Sequence, residues 1–228
     1  SALMSLPALA DVIPPPQLEA RAWLLVDHDS GTVLAQSRPD ERVEPASLTK
    51  LMTAYLTFKA LKAGQLKPDQ VVPVSVAAWK TGGSKMFIAP DKPVTVDELL
   101  HGVIIQSGND ACIALAEAIA GTEQAFAQMM NKEGQRLGMA GTQYRNSTGL
   151  TEDGHYTTAR DLALLANALI RDFPEYYPLY STLDYTYNGI KQGNRNRLLT
   201  MDRSVDGMKT GHTDAAGLCA TPRACSTS

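Results

Sequence analysis

The sequence predicts an α+β chain, with a β-containing lobe drawn from both ends and a helical insertion between them. Three observations predict it. β-rich runs lie near residues 22–35 and again from Leu183 to His212. Between them, segment after segment carries apolar residues at helical spacing. No internal repeat or low-complexity block organises the 228 residues in another way. The expected division is 1–10 as a signal-peptide remnant, 11–65 and 155–228 as a discontinuous sheet-containing lobe, and 66–154 as a helical lobe.

In chain order, "SALMSLPALA" is apolar and ends Ala8-Leu9-Ala10, the small-x-small pattern of a signal-peptidase site. This predicts an exported protein that works outside the cytoplasm. After the Pro-rich "DVIPPPQLEA", two short runs in "RAWLLVDHDSGTVLAQ" flank Asp27-His28-Asp29-Ser30-Gly31, a hairpin pattern. "SLTKLMTAYLTFKALKAG" is helical, with Leu48, Leu51, Met52, Tyr55 and Leu56 on its apolar spacing and Gly64 as its stop. "TVDELLHGVIIQ" opens on a Thr cap with acids in the first turn. "NDACIALAEAIAG", "TEQAFAQMMNKEGQRLG" and "TARDLALLANALIRD" are three more helices, punctuated by Thr or Gly. "LDYTYNGIKQGNRNRLL" and "VDGMKTGH" return to a β pattern.

Composition narrows the function classes. With 44% apolar and 20% charged residues and a net charge of −3, nothing favours nucleic acid or an anionic membrane as partner. No apolar run approaches the ~18 residues of a membrane span. Four scattered His and three Cys form no metal-ligand spacing, so neither metal nor cofactor is expected. Cys112 sits in an apolar helical run, whereas Cys219 and Cys225 could close a small loop in an oxidising compartment.

The chemistry concentrates in three short motifs. Ser47 opens a helix with Lys50 three residues on, so the two share a face, and a desolvated Lys can take a serine proton. Ser107-Gly108-Asn109 is a tight polar connector between apolar helices, and Lys209-Thr210-Gly211 follows a strand. Each alone is common. Together and in this order they match the Ser-x-x-Lys, Ser-x-Asn, Lys-Thr-Gly set of penicillin-binding proteins and serine β-lactamases.

"EPASLTKLMTAY", "GVIIQSGNDACIALAEAIAG", "NRNRLL" and "VDGMKTGHT" resemble the low-molecular-mass D-alanyl-D-alanine carboxypeptidases of the penicillin-binding protein 5 and 6 type, from about residue 20 to 218. The resemblance implies a β-lactamase/penicillin-binding transpeptidase-like fold, with a five-stranded antiparallel sheet flanked by helices plus an all-helical region. It implies Ser47 as nucleophile, Lys50 as base, Ser107 as proton carrier to the leaving amine, and Asn109 as orienter of Lys50 and hydrogen-bond partner of the substrate amide. Lys209 would favour neutral Lys50 and, with Thr210, engage the substrate carboxylate. Gly211 would admit the substrate backbone, and the N–H groups of Ser47 and His212 would form the oxyanion hole. Arg195 falls near the site. The implied partners are the D-Ala-D-Ala peptidoglycan stem and β-lactam antibiotics.

Within that superfamily, "GTQYRNSTGLTEDGHYTT" offers Glu152 and Asp153 without the carboxylate pattern a class A β-lactamase uses for deacylation. Carboxypeptidase is therefore expected over β-lactamase. The last stretch departs from the family: "AAGLCA" begins the next strand and "TPRACSTS" abandons it. This predicts a short tail strand of about 214–220, missing final strands, closing helix and membrane anchor, edge-strand self-association, and an alternative reading as a weakly active or inactive penicillin-binding module.

Overall fold

The computed structural model describes residues 17–213 and 217–224. The chain opens with the expected hairpin, β1 (Trp23–Val26) against β2 (Val33–Ser37). A 3-10 turn, Ala46–Thr49, leads directly into α1 (Lys50–Lys62). Next come β3 (Val71–Val72), α2 (Val76–Lys80), β4 (Val94–Thr95) and α3 (Val96–His101), with β3 and β4 paired. α3 begins with a full capping box in which Thr95 and Glu98 satisfy each other's backbone N–H. It passes without a break into a π-turn, Gly102–Gln106. Then follow α4 (Asn109–Ala120), α5 (Glu123–Arg136) and α6 (Ala159–Asp172), the last two capped by the Thr122 and Thr158 side chains.

A 3-10 turn at Tyr177–Ser181 precedes the hairpin β5 (Asp184–Tyr187) and β6 (Ile190–Gly193). Asn188 and Gly189, both at positive φ, make its two-residue turn. "NRNRLL" is not β: it ends in the single helical turn α7 (Leu198–Met201), because Asn196 Oδ1 accepts the Leu198 N–H. β7 (Val205–Thr213) and β8 (Gly217–Ala224) close the described chain as an antiparallel pair.

Two expectations are corrected here. Among the described residues the strands form four separate two-stranded pairs, not one five-stranded sheet. β1 and β8 both run over α6, but no ladder joins them, and the Ala46–Thr49 and Tyr177–Ser181 turns lie against β7. The tail strand is also longer than expected and runs through Pro222, which stands opposite Met208. β8 pairs with β7 alone among the described strands, and an edge strand tolerates a residue without an N–H. The Ala8-Leu9-Ala10 pattern and Cys225 lie outside the described residues.

The core is built around α1, buried on all sides from Lys50 to Phe58 and packed by α4, α5 and α6. Such a helix needs its polar side chains satisfied internally. Thr53 Oγ1 donates to Ser147 O (2.7 Å) and Thr57 Oγ1 to Thr53 O (2.8 Å). Phe58 stacks on Tyr176 at 4.7 Å between ring centroids, and Tyr55 meets Phe173 edge-on at 4.9 Å. Each such fully buried side chain contributes about 1.5–3 kcal/mol. The first residues of α1 are thereby held rigidly, with Ser47 and Lys50 at the end that emerges from the core.

Candidate active site

Ser47 sits half-buried in the 3-10 turn, one residue after Ala46, which adopts a positive φ of 47°. That strained turn is held from two sides by glycines. A Cβ on Gly149 would lie 1.8 Å from Ala46 O, and one on Gly211 would lie 2.8 Å from Ser47 N. Gly211 thus admits the turn that carries Ser47 to close contact with β7. From sequence it was expected to make room for substrate; the close approach observed is to the chain's own backbone at Ser47 and Leu48.

Lys50 follows on the first turn of α1 and is 1% exposed. Its Nζ is 2.8 Å from Ser47 Oγ and donates to Thr148 O at 2.7 Å. Burial pulls the Lys50 ammonium down to about 8, against the opposing pull of Cys112 and Asp110. The amine is therefore far easier to deprotonate than an ordinary lysine and is bonded to the hydroxyl it would deprotonate.

Ser107 is delivered by a different device. The π-turn carries one more residue per turn than an α-helix, and Ser107 ends it in the left-handed conformation (φ 59°). Gly108 N–H closes back onto Gly102 O at 2.9 Å. The Ser107 hydroxyl accepts from Lys209 Nζ at 3.0 Å, and Lys209 also reaches Thr210 O at 2.8 Å. Lys209 is 2% exposed. Burial holds its ammonium well below the ordinary range, and the charges of Lys50 and Arg195 add to this, with Cys112 opposing. Burial lowers both ammonium groups, and the repulsion between Lys50 and Lys209 disfavours charging both at once.

Asn109, also buried, gives its side-chain amide to Gly82 O (2.8 Å) and its backbone N–H to Ser84 O (2.7 Å). It forms no hydrogen bond to Lys50; the carbonyl of Thr148 does that instead. Thr210 is half-buried and His212 exposed on β7. Arg195 is exposed, its backbone N–H tied to Ile105 O (3.3 Å) at the π-turn. Glu152 is exposed and accepts from Asn146. Among the described residues no cluster of His, Cys, Asp and Glu could hold a metal ion.

Several contributors were not legible beforehand. Thr148 enters through a carbonyl, which any residue possesses. Its loop is shaped by Asn146, whose Oδ1 accepts from Gly149 N (2.8 Å) and Thr148 Oγ1 (3.1 Å). His155, one of four scattered histidines, lies behind the nucleophile. Its Nδ1 accepts from Arg145 N (3.2 Å), which assigns the proton to Nε2, 2.9 Å from Thr49 Oγ1. Burial drops this imidazole to about 4.

The chain matches the peptidase S11 family, described as D-alanyl-D-alanine carboxypeptidase, over residues 10–228. It is 47% identical over 217 residues to D-alanyl-D-alanine carboxypeptidase DacC of Escherichia coli K12, covering 92% of this chain and 54% of that protein. The fold superimposes on penicillin-binding protein 5 of Haemophilus influenzae with a TM-score of 0.88, at 44% identity, covering 90% of this chain and 61% of that one. It also superimposes on the ampicillin-bound penicillin-binding protein D2 of Listeria monocytogenes with a TM-score of 0.84, at 30% identity, over 93% of this chain and 86% of that one. The chain spans about half the length of the curated relatives it matches. With the ordered motifs and these likenesses together, the chain belongs to the D-alanyl-D-alanine carboxypeptidase family.

Proposed function

We propose that the chain carries the active site of a serine D,D-carboxypeptidase that removes the terminal D-alanine from peptidoglycan stem peptides. The observation that carries this reading is the bond of Ser47 Oγ to a buried Lys50 at 2.8 Å, beside a second pair, Lys209 to Ser107, at 3.0 Å. Ser47 Oγ attacks the carbonyl carbon between the two D-alanines while its proton passes to Lys50 Nζ. The oxyanion is received by the N–H groups of Ser47 and His212. The C–N bond then breaks, the departing amine takes a proton through Ser107, and an ester to Ser47 remains for water to hydrolyse.

In this reading Lys209, Thr210 and Arg195 form the positive and hydroxyl-bearing side on which the substrate carboxylate rests. The site lies at the seam between the lobe of residues 11–65 and 155–228 and the lobe of residues 66–154. β-Lactams, one of which is bound in the Listeria relative, would acylate Ser47 in the same way. A periplasmic location fits the Ala8-Leu9-Ala10 pattern, and among the described residues no helix is long and apolar enough to cross a membrane. A peptide ending in D-Ala-D-Ala should release D-alanine with the native chain and not with Ser47→Ala. Absence of release together with absence of β-lactam label on Ser47 would sink the reading.

A second reading is a binding module that acylates but turns over weakly. It is favoured by the four strand pairs, which no ladder joins among the described residues, and strand edges left without a ladder suit self-association. Strong labelling without D-alanine release, with light-scattering masses above that of one chain, would select it.

A further inference from the structure

Asp110 is the first acid of α4, 0% exposed, and forms no ion pair among the described residues. A carboxylate so placed is costly unless its oxygens are fully bonded. Oδ1 accepts from Met86 N (3.0 Å) and from its own neighbour Ala111 N (3.0 Å), and Oδ2 from Phe87 N (2.8 Å) and Ile88 N (3.2 Å). Three successive amides of one loop thus converge on one side chain, an anion cradle whose anion belongs to the protein. The loop pays a conformational penalty for this: Phe87 stands at φ 70°, unusual for an aromatic residue, while its ring is 52% exposed. The same loop supplies Gly82 O and Ser84 O to Asn109, and it is tied on its far side by Gln192 Nε2 to Lys85 O (3.0 Å).

We propose that Asp110 is a positioning residue for the acylation step, locking the 82–88 loop onto Asn109 and placing a fixed negative charge beside Lys50. This rests on the carboxypeptidase reading of the Ser47 site. The groups that act on the Lys50 ammonium are Asp110 and Cys112 of α4. Lys50 and Arg195 act on Lys209 of β7, and Glu123 acts on Cys112 from α5. Of the two groups named on α4, Asp110 bears the carboxylate, and its charge favours protonated Lys50. Removing that charge while keeping the shape should therefore let Lys50 lose its proton at lower pH.

The test is the rate of Ser47 acylation by a fluorescent penicillin across pH, for the native chain and for Asp110→Asn. The Asn amide turns a donor toward backbone donors, so the loop should loosen and the rate should fall about ten-fold. The midpoint of the rising limb should move down by about half a pH unit. A rate loss with an unmoved midpoint would reduce Asp110 to a loop fastener and overturn the proposal, as would native behaviour in both. If the native chain takes no label on Ser47, the carboxypeptidase reading fails first. Should Asp110→Asn not fold, amide exchange in the native chain decides. The amides of Met86, Phe87 and Ile88 should exchange as slowly as those of α4, and rapid loop-like exchange would overturn the proposal.

Discussion

Gly149→Ala offers a quantitative test of how the nucleophile turn is held. Gly149 has φ 87°, and an added Cβ would fall 1.8 Å from Ala46 O and 3.0 Å from Thr49 Oγ1. The left-handed backbone alone costs an alanine about 1–2 kcal/mol. Relieving the overlap requires a shift of about 1 Å in buried backbone, at roughly 1–3 kcal/mol more. Either Ala46 moves, carrying Ser47, or the 146–150 loop moves, carrying the Thr148 carbonyl that grips Lys50. A loss of about 3 kcal/mol in stability and of about a hundred-fold in acylation rate is expected. Gly64→Ala is the control: its φ is 71°, and nothing lies within 4 Å of the added Cβ. It should lose about 1 kcal/mol and label normally. Urea midpoints and initial rates with a fluorescent penicillin measure both variants. Equal stability losses in the two, with native labelling rates, would refute the close packing inferred around Ala46.

Ser47→Ala should take no covalent penicillin, and mass spectrometry of a digest should place the native adduct on the Ser47 peptide. Lys50→Arg should be almost unlabelled although it keeps the charge, since guanidinium cannot accept a proton near neutrality; a native rate in that variant would remove Lys50 as base. The native acylation rate should climb with pH through a midpoint near 8, where half of the Lys50 amine is neutral, and level off about one pH unit higher. His155 sits near 4 when folded against an ordinary 6.5, so the unfolded chain binds its proton first. Stability is then full above pH 6.5 and declines as pH falls toward 4, by roughly 3 kcal/mol, a slope that His155→Gln should flatten in thermal scans. The penicilloyl adduct should persist for hours, because Glu152, the carboxylate nearest to the expected position in sequence, bonds Asn146 in the solvent-exposed rim; rapid clearance would point to a β-lactamase.

The helices were legible because their ends are marked by side chains: Thr95, Thr122 and Thr158 cap by accepting specific N–H groups. Ser47 and Lys50 were legible because i and i+3 share a helix face whatever the surroundings. The π-turn was not, since one added residue before Ser107 leaves the apolar spacing of "GVIIQ" intact. Nor was the grip of Thr148 on Lys50, as backbone carbonyls have no sequence signature. The partner of Asn109 was not legible either: the resemblance implied a bond to Lys50, whereas its side-chain amide donates to a carbonyl of a distant loop, Gly82 O. The tail strand was expected to end near residue 220, whereas β8 runs on through Pro222, pairing with β7 alone among the described strands.

The hydrogen bonds that define the site join residues far apart along the chain: Lys50 to Thr148 across 98 positions, and Lys209 to Ser107 across 102. Helical segments form from local contacts, but these closures must wait for long stretches of chain to be ordered. Reactivity toward a β-lactam should consequently be a property of the finished molecule. During refolding, the helical signal should recover before the capacity to be labelled, and the delay between them would time the arrival of β7 beside the Ser107 turn. A fluorescent penicillin would then count completed molecules in a mixture where spectroscopy sees only helix.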